Sequence, residues 1–312
     1  MSKSRRVFRE IEALTTEAIH PDSVDLDSLS IGQILAFMSD EDAKIVPAVR
    51  AVLPQVEKAA SMALDSFLKG ARLIYIGAGT SGRLGIIDAA ECPPTFGSDP
   101  EQVVGIIAGG REAVFLSKEG AEDREDQGKR DLVSINLAKK DTVVGIAASR
   151  RTPYVLGALR YARSIGASTV FLMCNTPPDQ REAEPAVDVV IAPILGPEVV
   201  MGSTRLKAGT ATKLILNMIS TSAFIRCGKV YRGMMVDLKA WSQKLKARSR
   251  RVLMLATGLD YGKAGEYLEK SGGNVKTAIV MALCGLEKEE ADSLLERSGG
   301  FVRKAVESRK SW

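Results

Sequence analysis

The residues best suited to chemistry in this chain stand where short apolar runs give way to glycine and hydroxyl side chains. Ile76 is followed by Gly77-Ala-Gly-Thr-Ser-Gly-Arg83. Glycines let the backbone turn sharply and approach a ligand closely. A helix opening there adds unpaired N–H groups and a positive dipole end, which together favour an anion. Thr80 and Ser81 add hydroxyl donors between Gly79, Gly82 and Arg83. The third glycine is displaced from the dinucleotide fingerprint, and no Gly-Lys-Ser/Thr follows as in a Walker loop. By itself the segment would also suit any tight strand-to-helix turn. A second loop, Ala148-Ser-Arg-Arg-Thr-Pro153, opens another helix, with proline favoured near the start. Ser149 and Thr152 would serve as ordinary helix caps. Two hydroxyl-rich loops at equivalent strand ends are better explained by one shared phosphate.

Carboxylates follow both loops in sequence. Glu91 lies in Asp88-Ala-Ala-Glu-Cys-Pro-Pro-Thr95, among Ala, Cys and Pro, where desolvation would favour a carboxyl's acid form. Glu119, Glu122 and Asp123 cluster in Lys118-Glu-Gly-Ala-Glu-Asp-Arg124, although an acidic stretch before a helix is commonly dipole compensation. Farther on, Glu198 and Lys207 are candidate contacts for sugar hydroxyls and charge, with surface decoration as the competing reading.

These side chains need a scaffold, and the apolar rhythm supplies one. Arg72–Ile76, Val103–Ile107, Thr142–Ala147, Thr169–Cys174 and Val187–Ala192 are short, β-branched runs. Amphipathic stretches such as Pro153–Ser164 lie between most of them. That alternation predicts crossover connections, a parallel sheet and helices on both faces. Ligands of open sheets bind at the carboxyl ends of strands, which points to the loops after Ile76, Ile107, Ala147 and Ala192. Upstream, Ser39–Gly70 reads as helix, capped by Asp40, kinked or split at Pro54 and closed by Gly70. Ala211–Ile225 reads as a long buried helix, and no strand of comparable quality follows Lys207. The tail repeats itself: Leu268-Glu-Lys-Ser-Gly-Gly-Asn-Val-Lys276 returns 27 residues later as Leu295-Glu-Arg-Ser-Gly-Gly-Phe-Val-Arg303. The spacing predicts paired helix-turn-helix units, a small cap or dimerisation element.

Composition excludes several classes. With 45% apolar and 26% charged residues over 312 positions, disorder, collagen and coiled coil are poor readings. A net charge of +5 and 5% aromatics leave little for base stacking, so no nucleic-acid partner is expected. The basic run Lys244, Lys246, Arg248, Arg250, Arg251 reads as a solvated helix face. Cys92, Cys174, Cys227 and Cys284 are scattered and His20 is the lone histidine, which argues against a zinc site or a disulfide framework. Met1–Glu10 is basic and polar, without a secretory pattern, and no run nears the roughly 20 apolar residues that span a bilayer. A cytoplasmic enzyme without a membrane partner is the expectation.

Gly77-Ala-Gly-Thr-Ser-Gly-Arg-Leu-Gly85, Glu91-Cys-Pro-Pro-Thr95, Glu119-Gly-Ala-Glu-Asp123, Arg151-Thr-Pro-Tyr-Val155 and Lys207-Ala-Gly-Thr-Ala211, in that order, strongly resemble the N-acetylmuramic acid 6-phosphate etherase family. The similarity runs from roughly Leu29 to Val306. It implies an α/β fold of the sugar isomerase (SIS) type, a five-stranded parallel sheet sandwiched by helices, with a helical N-terminal segment (1–62), a SIS domain (63–226) and a small helical C-terminal module (227–312). It also implies a cytoplasmic homodimer needing no cofactor or metal, which splits a D-lactyl ether to N-acetylglucosamine 6-phosphate and D-lactate in cell-wall sugar recycling. The family's catalytic acid falls on Glu91 and its base on Glu122. Substrate contacts are expected from Gly79, Thr80, Ser81, Gly82, Arg83, Ser149, Arg151, Thr152, Glu198, Ser203 and Lys207. Arg150 replaces a glycine the family usually shows, Met201 a threonine and Leu206 a methionine, and Thr16-Glu-Ala-Ile-His-Pro21 lacks the usual Arg-Asn pair. Two other readings fit a phosphosugar site: an aldose–ketose isomerase, which would want a ring-opening base such as histidine, and a phosphosugar-sensing regulator, which would usually carry a second SIS unit or a DNA-binding domain.

Overall fold

The computed structural model describes residues 8, 12, 14–176, 186–238 and 243–310. Most of the basic stretch Met1–Glu10 lies outside these residues. The chain divides into two compact units, one of 1–89 with 103–220 and one of 90–102 with 221–312.

In the first unit three short 3-10 turns (Thr15–Glu17, Pro21–Ser23 and Leu26–Ser28) lead into three α-helices: α1 (Ile31–Asp42), α2 (Ile45–Ala51) and α3 (Leu53–Leu68). Asp40 lies inside α1 and caps nothing. The cap is Ser30, in a reciprocal capping box with Gln33. The predicted break at Pro54 falls two residues earlier, at Val52, and Pro54 stands in the first turn of α3, where its missing N–H costs no hydrogen bond. Gly70, at φ +66°, ends the stretch as expected.

Five parallel strands follow: β1 (Leu73–Gly77), β2 (Val103–Ile107), β3 (Thr142–Ile146), β4 (Ser168–Leu172) and β5 (Val189–Ile191), in the order β2-β1-β3-β4-β5. All five predicted runs are strands, each within a residue or two at its ends. Between them run α4 (Gly79–Phe96), α5 (Glu125–Ser134) and α6 (Pro153–Ser164), and α7 (Lys207–Arg226) comes after β5. The residues of β1 and β3 are buried throughout, as a sheet covered on both faces requires. Ile74, Ile76 and Val143 pack with Leu132 of α5 and Tyr154, Val155 and Leu159 of α6. On the other face, the Tyr75 hydroxyl donates to Asp88 of α4 (3.0 Å), and Ser66 of α3 meets Thr142 (2.8 Å).

A costly buried ion pair joins α1 to the start of α7. Lys207 at the start of α7 is 1% exposed and its Nζ lies 2.6 Å from Oε2 of Glu41 on α1. Glu41 also takes His20 Nε2 (3.1 Å) and the ammonium of Lys44. Burial raises the Glu41 pKa, but the Lys207 and Lys44 contacts outweigh it and hold the carboxyl at about 2.

In the second unit a short hairpin, β6 (Val230–Tyr231) and β7 (Met234–Met235), follows Lys207, each arm only two residues long, where no strand comparable to the first five was expected. Then come α8 (Gln243–Thr257), α9 (Tyr261–Lys270), α10 (Val275–Cys284), α11 (Lys288–Arg297) and α12 (Val302–Lys310). The sequence repeat is explained by the paired glycines. Gly272 and Gly273, then Gly299 and Gly300, all have positive φ. Gly273 N–H donates to Leu268 O (2.7 Å) and Gly300 N–H to Leu295 O (2.8 Å), the equivalent carbonyls of the two copies.

Removing the charge of Glu41 leaves a buried ammonium unpaired. Glu41→Gln is expected to cost about 3 kcal/mol of unfolding free energy at neutral pH. The Glu41 contribution is full above its ordinary pKa of 4.5 and is lost as pH falls toward 2, because the folded state keeps the lower value. Urea unfolding across that window should show a steeper acid loss for the native chain than for Glu41→Gln; parallel curves would refute the linkage.

Candidate functional site

In this sheet order the chain leaves β1 toward one side and β3 toward the other, which opens a crevice at their carboxyl ends. The register makes it a shared floor: Gly77 pairs with Ile107 on one side and Ile146 on the other. Just beyond these residues lies a cavity of about 240 Å³, lined among others by Ala78, Ala108 and Ala147, one from each strand exit.

The first wall is the turn into α4. Gly77 and Gly82 touch so closely that a Cβ on either would come within 2.7 Å of the other's backbone. Gly82 also lies against Ile107. Glycine there seats the first turn of α4 on the strand ends. Gly79 takes φ +53° with open space around it, so its need is conformational. Gly79, Thr80, Ser81 and Arg83 line the cavity, with Arg83 Nε donating to Val114 O (2.8 Å). The N–H groups of the first helical turn have no intrahelical partners and point to this end, where they favour an anion.

The second wall is the turn into α6. Ser149 and Thr152 line the cavity, and Thr152 is the N-cap by position, yet its side chain makes no capping bond. Its hydroxyl is therefore not spent on the helix. Arg150, at φ +67°, holds the left-handed conformation that suits glycine, and its guanidinium donates to Thr176 O (3.0 Å). A glycine would adopt this conformation freely, whereas arginine holds it under strain.

The third wall carries the acids. Ser117, Lys118, Glu119, Ala121 and Glu122 line the cavity. Glu122 is tied to the second wall: its carbonyl accepts the N–H of Tyr154 (2.9 Å). Behind that bond α5 and α6 pack backbone to backbone, since a Cβ at Gly128 would overlap Tyr154 O and one at Gly157 would overlap Glu125 O. Tyr154 is buried and donates to Asp131 (2.5 Å). Burial, then Asp131, pushes its pKa far upward and keeps it a donor.

The cavity thus brings together Gly79, Thr80, Ser81, Arg83, Glu122, Ser149 and Thr152. Gly82 supports it from beneath. Arg151 and Ser203 do not line it, and Thr204, Ser203's neighbour, does. Glu198 and Lys207 are buried rather than on the surface, and neither lines this cavity. The Glu198 carboxylate accepts the N–H groups of Lys207 (3.0 Å) and Ala208 (2.9 Å), capping α7, and Lys207 is held by Glu41. Glu91 falls in the second unit. Its apolar setting is not found: on a helix its neighbours point elsewhere, so Cys92 is buried and Glu91 exposed. Ser117, Lys118 and Thr204 were not singled out from sequence, although each lies within or beside a segment that was. Among the described residues no group of three His, Cys, Asp or Glu side chains is placed to hold a metal ion, and no helix is long and apolar enough to cross a membrane.

Residues 55–163 match the model of the glucokinase regulatory protein N-terminal SIS domain. The chain is 52% identical over 271 residues to the N-acetylmuramic acid 6-phosphate etherase of Caldanaerobacter subterraneus subsp. tengcongensis, covering 87% of this chain and 88% of that one. It is 50% identical over 284 residues to the N-acetylmuramic acid 6-phosphate etherase of Salinibacter ruber, covering 91% and 90%. Among solved structures, a phosphoheptose isomerase from Neisseria gonorrhoeae aligns with a TM-score of 0.46 and 14% identity, over 62% of this chain and 97% of that one.

The strain at Arg150 is measurable. Arg150→Gly is expected to raise unfolding free energy by about 1 kcal/mol, and Arg150→Val to lower it, β-branched residues being least tolerant of positive φ. Thermal melts of the two variants ordered the other way would refute the left-handed geometry.

Proposed function

The chain belongs to the N-acetylmuramic acid 6-phosphate etherase family, and on that premise we propose that Glu122 and Glu91 are the base and acid of its lyase reaction. The activity is cleavage of the C3 D-lactyl ether to give N-acetylglucosamine 6-phosphate and D-lactate. An ether at C3 resists direct hydrolysis, but in the open-chain sugar it lies β to the C1 aldehyde, so the C2 proton is acidic enough for a carboxylate. Glu122 takes that proton. Glu91 protonates the departing lactate oxygen, an otherwise poor leaving group. Water then adds at C3 of the unsaturated aldehyde, Glu91 acting in reverse to take the water's proton while Glu122 returns one to C2. Each positioned proton transfer contributes about 10²–10⁴-fold. The C6 phosphate, held by the hydroxyls and helix N-terminus of the first two walls, lends remote binding energy to orient C2 and C3.

The observation that carries this reading is that Glu122 shares one cavity with both hydroxyl-rich turns. An isomerase is disfavoured because His20, the lone histidine, is buried against Glu41 and does not line that cavity. A cytoplasmic setting fits a substrate carrying a phosphate. A homodimer fits the exposed Ile31 and Leu35, one turn apart on α1, which a second copy would cover.

Two measurements test these roles. Glu122→Gln should abolish solvent deuterium incorporation at C2 of the product, while Glu91→Gln should keep some exchange and lose most ether cleavage. Exchange at the native level in Glu122→Gln would remove Glu122 as the base. Light scattering should return twice the 33.5 kDa chain mass, and Leu35→Asp should reduce it; a monomeric native chain would dismiss the dimer.

A further inference from the structure

Bonded to the second wall of the cavity stands a buried amide with four hydrogen bonds. Asn175, just past β4, is 1% exposed. Its Nδ2 donates to Ala148 O (2.9 Å), in the second wall, and to Thr16 Oγ1 (3.1 Å). Its Oδ1 accepts from Thr15 Oγ1 (2.7 Å) and from Thr16 N–H (3.4 Å). Both donors and both acceptor sites of the amide are therefore used, three of the four by residues about 160 positions earlier in the chain. Thr16, 2% exposed, then reaches the opposite side: its carbonyl accepts Gly202 N–H (3.0 Å), and Gly202 O in turn accepts Thr204 N–H (3.0 Å). Ala148, Ser149 and Thr204 all line the cavity.

We infer that Thr16 and Asn175 are positioning residues: the segment around Thr16 is a strut that sets the spacing between the Ser149 wall and the Thr204 wall, and so the affinity for the sugar phosphate. The inference rests on the reading of the cavity as the phosphosugar seat. None of the strut's groups lines the cavity, so no proton transfer passes through them. The expected signature is a change in KM with kcat preserved. A short polar segment is used because a hydrophobic clamp would tolerate sliding, whereas four directional bonds to one amide permit one register.

The test uses the full chain and N-acetylmuramic acid 6-phosphate. Thr16→Val keeps side-chain shape and removes the acceptor for Nδ2; Asn175→Asp turns a donor to Ala148 O into an acceptor facing it. Each should raise KM about tenfold with kcat within about twofold, and the dissociation constant for inorganic phosphate should rise in parallel. Thr16→Ser, which keeps the hydroxyl, should restore native values. Thr16→Val with native KM overturns the inference even if the variant melts early, since a merely structural role would do that. Ser81→Ala separates the two claims. If it leaves KM unchanged the seat itself is misplaced, whereas a raised KM there with native KM in Thr16→Val removes the strut alone.

Discussion

The molecule depends on the level alignment of three strand ends. Gly77 is paired on both sides, with Ile107 and Ile146, so β1, β2 and β3 stop at the same height and their exit turns meet over a common floor. Because the crossovers from β1 and β3 depart to opposite faces, no connection covers that floor. A slip of one residue in the β1–β3 pairing would turn side chains to the other face and separate Thr80 and Ser81 from Ser149 and Thr152. The hydroxyls make a site because the ladder places them, and the ladder is held by burial of β1 and β3 on both faces.

Close backbone approach is the second constraint, and it explains why glycine recurs where it does. Gly77 against Gly82 seats one helix, and Gly128 and Gly157 seat two others against each other's carbonyls. The latter crossing bears on chemistry, since the Tyr154 N–H that it brings forward holds the carbonyl of Glu122. An acid on a loop is normally free to wander. Here its backbone is bonded to the first turn of α6, whose preceding residues line the same cavity.

Much of this was legible in sequence because it is periodic or glycine-marked. All five strands announced themselves as short β-branched runs, and both hydroxyl turns stood at their ends. What was illegible has physical reasons. Asp40 resembled a cap, but Ser30 had the better box with Gln33, and the helix simply began earlier. The surroundings of Glu91 were judged from sequence neighbours, which on a helix point in different directions. Glu198 and Lys207 lie among Gly, Pro, Ser and Thr, the composition of a surface loop, yet both are buried through partners that sequence order hides, Glu41 being 166 positions from Lys207. Thr16 and Asn175 carried no signal, since a hydrogen bond across 159 residues leaves no period to read.

Two kinds of cost meet in one loop. On one side Arg150 holds a backbone conformation that its side chain disfavours; on the other Asn175 spends a fully buried amide to hold Ala148 O. A loop whose only task was to join β3 to α6 would need neither, because Pro153 and the N-terminal turn already start the helix. Strain and buried polarity at one short segment persist only where the surroundings over-determine the position. What they determine here is the placement of Ser149 and Thr152 relative to the first turn of α4, the distance on which the proposed grip of a phosphate from two sides depends. The same logic accounts for the Glu41–Lys207 pair. Apolar side chains would fill that space as well, but a cation bound to one carboxylate sets where α7 begins, and the segment leading into it carries Thr204.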